Sequence, residues 1–358
     1  MRICTIGFED GGYRLADDIV VYGYSHNTVW SAPWGNARCI DCSTNGTSGC
    51  TGVARTYLRD MTPLSNGDFT HVFVRIWTKY SVAGATLKLS LTDENNVDII
   101  TIDNAGNFTV LGITDALGAS YSAFSTDWKC VELEIDMSVS GGVTVRYDSV
   151  QVYTKTVDMT SSGGSEVRYA GVIAPYHYPY AHAYYDDIAV NDTQGATNNS
   201  WPPTARIAGL VPNGDGAYSQ WSPSPGTGES NYEDVDEIPG DSDTTYVAAP
   251  TGALRDTYTR ANIAAFLGLS PRHIYMVTSI TIARLSAAGA AQYRSIATKG
   301  VTTQVGTTHS PSNVKYGRFG FCMDDAPDGS PWDETTFDAT IFGMDSLDGR
   351  CKSHPQHC

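Results

Sequence analysis

Three carboxylates stand in a row at Glu132, Glu134 and Asp136, inside WKCVELEIDM. On a strand, positions i, i+2 and i+4 share one face, with neighbours about 6.5–7 Å apart at the backbone. Flexible side chains can close that gap to the ~5–5.5 Å at which a carboxylate pair performs retaining glycoside hydrolysis. Against this stands the plainer reading of a solvated sheet face, which we adopt, so no catalytic residue is assigned. The other nucleophile and base types form no pattern. The eight histidines are scattered, and no G-x-S-x-G elbow is visible. Gly214–Gly216 lacks the lysine and following helix of a phosphate cradle.

Two groups carry soft or borderline metal donors. Cys39, Cys42 and Cys50 form one. Cys351, His354, His357 and Cys358 form the other, with donors that suit Zn²⁺. Their bland counterparts are a loop with reduced thiols or one local disulfide, and a flexible tail or terminal staple. Hard oxygen donors for Ca²⁺ occur at Asp186–Asp187 and Asp93–Glu94–Asn95–Asn96, where turn capping is the commoner use. No cofactor is required by the sequence; Ca²⁺ and Zn²⁺ are the candidates. An aromatic segment, Tyr176, His177, Tyr178, Tyr180, His182 and Tyr184, suits sugar stacking, a protein interface or a packed sandwich edge. The stretch Glu229–Asp243 holds seven carboxylates among 15 residues. Its dense centre, Glu233, Asp234, Asp236 and Glu237, reads as an exposed arm or a docking surface for a basic partner.

The elements that must position these residues are strands. Val131, Leu133, Ile135 and Met137 alternate with the carboxylates, the signature of a strand with one face buried. Further strands are expected at Thr5–Phe8, Thr70–Trp77, Thr86–Leu91, Val97–Ile102, Val143–Tyr147, Val150–Tyr153, Val167–Val172 and Tyr184–Val190. Asn96, Asn104–Gly106 and Gly141–Gly142 supply turns. No segment keeps helical periodicity over three turns. The class is therefore all-β, of the sandwich or barrel kind.

The 358 residues suggest at least two domains, and the 41% hydrophobic content allows each a core. Residues 1–192 form the first. A polar stretch with two prolines, 193–203, reads as a linker. The second, 204–348, opens with a strand at Ala205–Val211 and continues into a long acidic loop, 212–243. Strands follow at Val277–Leu285, Gln292–Thr298, Lys315–Met323 and Thr335–Met344, with one or two helical turns at Ala261–Leu267. Residues 349–358 are a Cys/His tail.

The net charge of −16 disfavours direct nucleic-acid binding. No apolar window is long enough for a membrane span. The N-terminal MRICTIGFEDGG lacks a long apolar run, so no secretory signal is expected and folding begins in a cytoplasm.

Several pieces resemble known families. GFEDG at Gly7–Gly11, the Trp128–Tyr153 pattern and YYDDIAV at Tyr184–Val190 resemble concanavalin A-like and laminin-G-like jelly-roll domains. Some glucanases on that fold carry acidic residues on one strand in the order Glu, Asp, Glu; here the order is Glu, Glu, Asp. The downstream series DDIAV, NNSWP, ARIAGLVPN, YSQWS, NYEDVDEIPGDSDTTYV, MDDAPDGSPW and TTFDATIFG resembles a group of tailed-bacteriophage structural proteins. In that group a jelly-roll sandwich precedes a second β-sandwich. The resemblance implies a non-enzymatic virion component of tail, fibre or head decoration, made in the host cytoplasm. It implies other virion proteins as partners, homo-oligomeric assembly and host surface glycan as a ligand. A carbohydrate-binding module or lectin-like protein is the alternative, and a glucanase-type hydrolase ranks below it. The added cysteines depart from the pattern.

Overall fold

The computed structural model describes residues 69–80, 87–174, 182–194, 198–203, 205, 207–224, 230–236, 243–267, 273–285, 291–313 and 316–348. It also gives the backbone course of strands at Arg2–Ile6, Ile19–Tyr22, His26–Trp30, Arg38–Ser43, Gly52–Tyr57 and Cys351–His357. The chain is all-β, with a sandwich in each of two compact units. The main boundary between the units falls between Ile207 and Ala208.

In the first unit every strand pairing is antiparallel. One sheet runs Val150–Thr156, Gly142–Tyr147, Lys129–Asp136, His71–Tyr80, His182–Asp192, Arg38–Ser43, His26–Trp30, and Arg2–Ile6 also pairs with His182–Asp192. The other runs Ile113–Ala116, Asn107–Val110, Asp98–Asp103, Lys88–Asp93, Val167–Ala174, Gly52–Tyr57, Ile19–Tyr22. The period-2 pattern drives this arrangement. Val72, Val74 and Ile76 point inward beside Val131, Leu133 and Ile135, and meet Leu89, Leu91, Ile100, Ile102 and Val172 in one core. Burying an aliphatic side chain of this size contributes about 1.5–3 kcal/mol. The hairpin joining Gly142–Tyr147 to Val150–Thr156 turns on Asp148 and Ser149, both with positive φ, a two-residue geometry that matches strand twist.

The second unit also has two five-stranded sheets. The first runs Pro212–Ser219, Arg255–Arg260, Thr340–Asp348, Gln292–Lys299, Thr302–Val305. The second runs Ser222–Pro223, Val247–Ala249, Cys351–His357, Val277–Leu285, Gly317–Met323. Trp221, Tyr258, Tyr293 and Met344 fill one part of its interior, and Trp332, Phe337, Phe342 and Met323 another.

Four local readings change. Ala205–Val211, expected as a strand, carries only an isolated bridge at Leu210 among its described residues. The loop expected from residue 212 begins instead as a strand, Pro212–Ser219. Its NGDG sequence has no strand propensity, but a Cβ at Gly214 or Gly216 would strike Thr259 Oγ1 or Thr257 Oγ1, so glycine admits the neighbouring threonines. Thr257 Oγ1 then accepts from Tyr218 N and donates to Tyr218 O. The expected strand Thr335–Met344 starts as a helical turn, Glu334–Asp338, because Asp333 and Thr336 form a reciprocal cap. The tail is a strand, Cys351–His357, paired with Val277–Leu285.

Candidate functional site

The carboxylate row lies on the outer face of the first unit's sheet. Cross-strand register sets Glu132 opposite Arg75 and Arg146, Glu134 opposite Phe73 and Thr144, and Asp136 opposite His71. That face is not solvated throughout, which corrects the sequence reading. Glu132 is only 2% exposed and Arg75 1%. Glu132 Oε2 accepts a 2.7 Å hydrogen bond from Ser149 N, fastening the positive-φ turn. Glu134 Oε1 lies 3.1 Å from His71 Nε2. Asp136 Oδ1 accepts from Ser138 N.

The cover comes from the chain itself. The segment 198–203, expected as a linker, packs on this face within the first unit. Trp201 stacks obliquely on Phe73, with ring centroids 5.4 Å apart, and the Arg146 guanidinium sits 3.8 Å from the Trp201 ring centroid. Arg75 Nη1 donates to Pro203 O, and Asn191 Nδ2 donates to Ser200 O at 2.6 Å. Sequence patterning missed this because a polar, proline-bearing stretch looks the same whether free or packed.

Beneath the cover lies a buried ionic cluster. The strand His182–Asp192 bulges between Asp186 and Ala189, and Asp187 adopts φ +48. Arg75 Nη2 reaches Asp187 O at 3.4 Å. Burial lowers the Arg75 pKa, while Asp187, Cys130, Glu132 and Asp186 oppose that by favouring its charged form. Asp187 Oδ1 accepts from Ile207 N, and Asp186 Oδ1 from Asp187 N. The two aspartates hold backbone, as capping predicts. Asp93 does likewise, accepting from Asn95 N and Val97 N, and Glu94 accepts from Ser165 N, Ser165 Oγ and Glu166 N. Those bonds to backbone and hydroxyl outweigh partial burial and lower the Glu94 pKa.

The other expected sites fare differently. His182 and Tyr184 have parallel rings, 6° apart in plane and 5.9 Å between centroids. Tyr176, His177, Tyr178 and Tyr180 lie outside the described residues, as do Glu237, Cys50 and Cys358. Cys39 and Cys42 fall on one strand, Arg38–Ser43. Cys351 and His357 are the two ends of a strand, about 20 Å apart at ~3.3 Å per residue. His354 falls between them on the same strand. Among the described residues no cluster of three or more His, Cys, Asp or Glu is placed to hold a metal ion.

The centre of the acidic stretch is folded rather than an exposed arm. Asn231–Asp234 is a short 3-10 turn capped by Ser230 and Glu233. Glu233 Oε2 accepts from Ser230 N at 2.8 Å. Asp234 is fully buried and accepts from both Ser224 N and Ser224 Oγ. Asp236 is half-buried. The S-x-x-E spacing is the capping-box signal, and the density of charge concealed it. Asn231 Nδ2 bonds both oxygens of Asp256, and Tyr258 Oη donates to Asp256 at 2.5 Å. Burial outweighs these bonds and pushes the Asp256 pKa up to about 6.

One open pocket of about 410 Å³ lies on the second unit. Register brings Arg255 and Arg294, from two separate strands, on either side of Asp345. Arg255 grips Asp345 with two bonds, Nε to Oδ1 at 2.6 Å and Nη2 to Oδ2 at 3.3 Å. Arg294 Nη2 adds one at 3.2 Å. The Arg255 guanidinium lies 5.1 Å from the ring centroid of Tyr218, whose side chain is exposed. Gln220 and Ser346 complete the polar lining. No local motif announces this site, since its residues are far apart in sequence.

No protein-family profile and no curated protein sequence matches the chain. Solved structures similar to parts of it include an endo-β-1,4-glucuronan lyase from the fungus Trichoderma reesei. That match is 13% identical, covers 53% of this chain and 95% of the lyase, and has a TM-score of 0.37. A carbohydrate esterase from a Shiga toxin-encoding bacteriophage is 14% identical over 53% of this chain and 97% of its own, at 0.36. Lectin I-B4 of Griffonia simplicifolia is 11% identical over 52% and 98%, at 0.32. Likenesses this distant do not carry an activity from one protein to another.

Proposed function

We propose that the protein is a non-enzymatic structural component of a tailed-bacteriophage particle, present in repeated copies and joined to other virion proteins. The series of motifs over residues 184–345 supports the particle, as set out from the sequence. The engagement of the carboxylate row carries the non-enzymatic part. Glu132 is buried, stands in register between Arg75 and Arg146, and holds Ser149 N, while Glu134 faces His71. A hydrolase would need an acid and a base on an accessible sugar subsite. Here one of the three carboxylates has no access, and the other two engage His71 and Ser138 N. Protein mass spectrometry of purified particles tests the assignment. The chain is expected in them at a fixed ratio to the major capsid protein, and its absence overturns the reading.

A second reading, glycan attachment by a lectin-like surface, is favoured by the pocket beside Tyr218. Exposed aromatic and forked polar groups together are what sugar recognition uses. The two readings are compatible, since multivalent display on a particle turns weak sugar contacts into avidity. A glycan array probed with the full chain tests it, and no retained saccharide at millimolar density removes it.

A further inference from the structure

We infer that the pocket formed by Arg255, Arg294, Asp345 and Tyr218 binds an acidic saccharide, a pyranose carrying a carboxylate. This deepens the glycan-attachment reading and rests on it.

The argument begins with charge. Two guanidinium groups face one carboxylate, so the trio keeps one positive charge at the pocket wall. That surplus stands out on a chain of net charge −16. The two arginines are not equivalent. Arg255 is clamped by its two bonds to Asp345, and its backbone N–H is held by Gln220 Oε1 at 2.8 Å. Arg294 gives Asp345 one bond through Nη2 alone, and a third of its side chain is exposed. A guanidinium carries five N–H donors in a planar fork that matches a carboxylate edge-on. Arg294 is therefore the arm with donors to offer, and Asp345 fixes its direction.

Geometry supplies the second half. Asp345 side-chain exposure is 10%, so it acts as a rigid spacer rather than a competing solvated anion. Its neighbour Ser346 is fixed by bonds from Leu254 N and to Thr251 O. The strand that carries Asp345 lies close against Arg255–Arg260, because a Cβ at Gly343 would lie 2.0 Å from Asp256 O. The pocket is thus built on sheet rather than on loop, which holds recognition groups in place before a ligand arrives. Tyr218 provides an exposed ring at the edge. A pyranose ring stacked there can set its acid group toward Arg294. A bare anion would use the arginine and leave the tyrosine idle.

The test uses the full chain and three probes: a glucuronate-terminated oligosaccharide, its glucose-terminated counterpart and sodium sulfate. Binding is read by titration calorimetry and saturation-transfer NMR. The acidic oligosaccharide is expected to bind at least tenfold more tightly than the neutral one, and to weaken as NaCl rises. Arg294→Gln should lower its affinity tenfold or more, and Arg294→Lys by less. Tyr218→Ala should weaken the saccharide and leave sulfate unchanged. A circular-dichroism melt shows whether each variant folds, and the lysine variant keeps the charge if the glutamine variant does not. Equal affinity for neutral and acidic saccharides, unmoved by Arg294→Gln, overturns this inference while glycan attachment survives. Sulfate binding as tightly as the acidic sugar, with no effect of Tyr218→Ala, also overturns it. No saccharide bound at all removes both readings.

Discussion

Asp256 shows how burial and bonding compete at one side chain. Four donors, the side chains of Tyr258 and Asn231 and the backbone of Trp221 and Gln220, favour its charged form, yet burial prevails and raises the pKa to about 6. The sign of the consequence follows. A raised folded pKa means the folded chain binds the proton more tightly than the unfolded one. The favourable contribution is full below about pH 4 and is lost as pH rises through about 6. From an ordinary 3.8 to about 6, the change is on the order of 3 kcal/mol. Asp256→Asn cannot titrate, so wild type should lose stability relative to it between pH 4.5 and 7, and the difference should level off above. Denaturant unfolding across that range reads this directly. A gap independent of pH would show that Asp256 does not titrate as described. Arg75 is the opposite case. Truncating it strands the buried carboxylates Glu132 and Asp187, so Arg75→Met should destabilise by about 3–5 kcal/mol, read by the same unfolding assay.

At the scale of elements, the segment 198–203 does work that sequence patterning assigned to a linker. It lies on the sheet face that carries Arg75, Phe73 and Arg146. Trp201→Ala removes the ring held between Phe73 and Arg146. A half-buried tryptophan with a cation–π partner should cost about 2–3 kcal/mol on truncation. Hydrogen exchange should quicken first at Phe73 and Arg146, the residues that the Trp201 ring touches. Protection there unchanged by the substitution would mean the segment is not their cover. Elements of this kind mark the limit of legibility. The strand Lys129–Asp136 was readable because period-2 alternation is local, and Val131, Leu133 and Ile135 are buried as expected. The burial of Glu132 was not, because its cross-strand neighbour Arg75 comes from a distant part of the chain. The arginine pair around Asp345 was hidden for the same reason. Pro212–Ser219 was hidden by glycines that matter only once Thr257 and Thr259 stand opposite.

At the scale of the molecule, two compact units, each with its own buried interior among the described residues, predict two unfolding events. The first unit gathers Val74, Leu133, Leu91 and Ile100 into one cluster, and the second gathers Trp221, Tyr258 and Met344, with Trp332 and Phe342. No residue of one cluster belongs to the others, so a cavity in one core leaves the packing of the other intact. Leu133→Ala should cost about 2–5 kcal/mol, the range for emptying a fully buried leucine site. Met344→Ala, equally buried, should cost a similar amount in the second unit. Differential scanning calorimetry should then resolve two transitions, with Leu133→Ala lowering one and Met344→Ala lowering the other. Asp256→Asn should act with Met344→Ala, because both side chains lie in the second unit. A single transition moved equally by all three substitutions would show one cooperative block instead. Independent melting matters for the proposed role, because a particle-bound protein can then present one sandwich while the other is held.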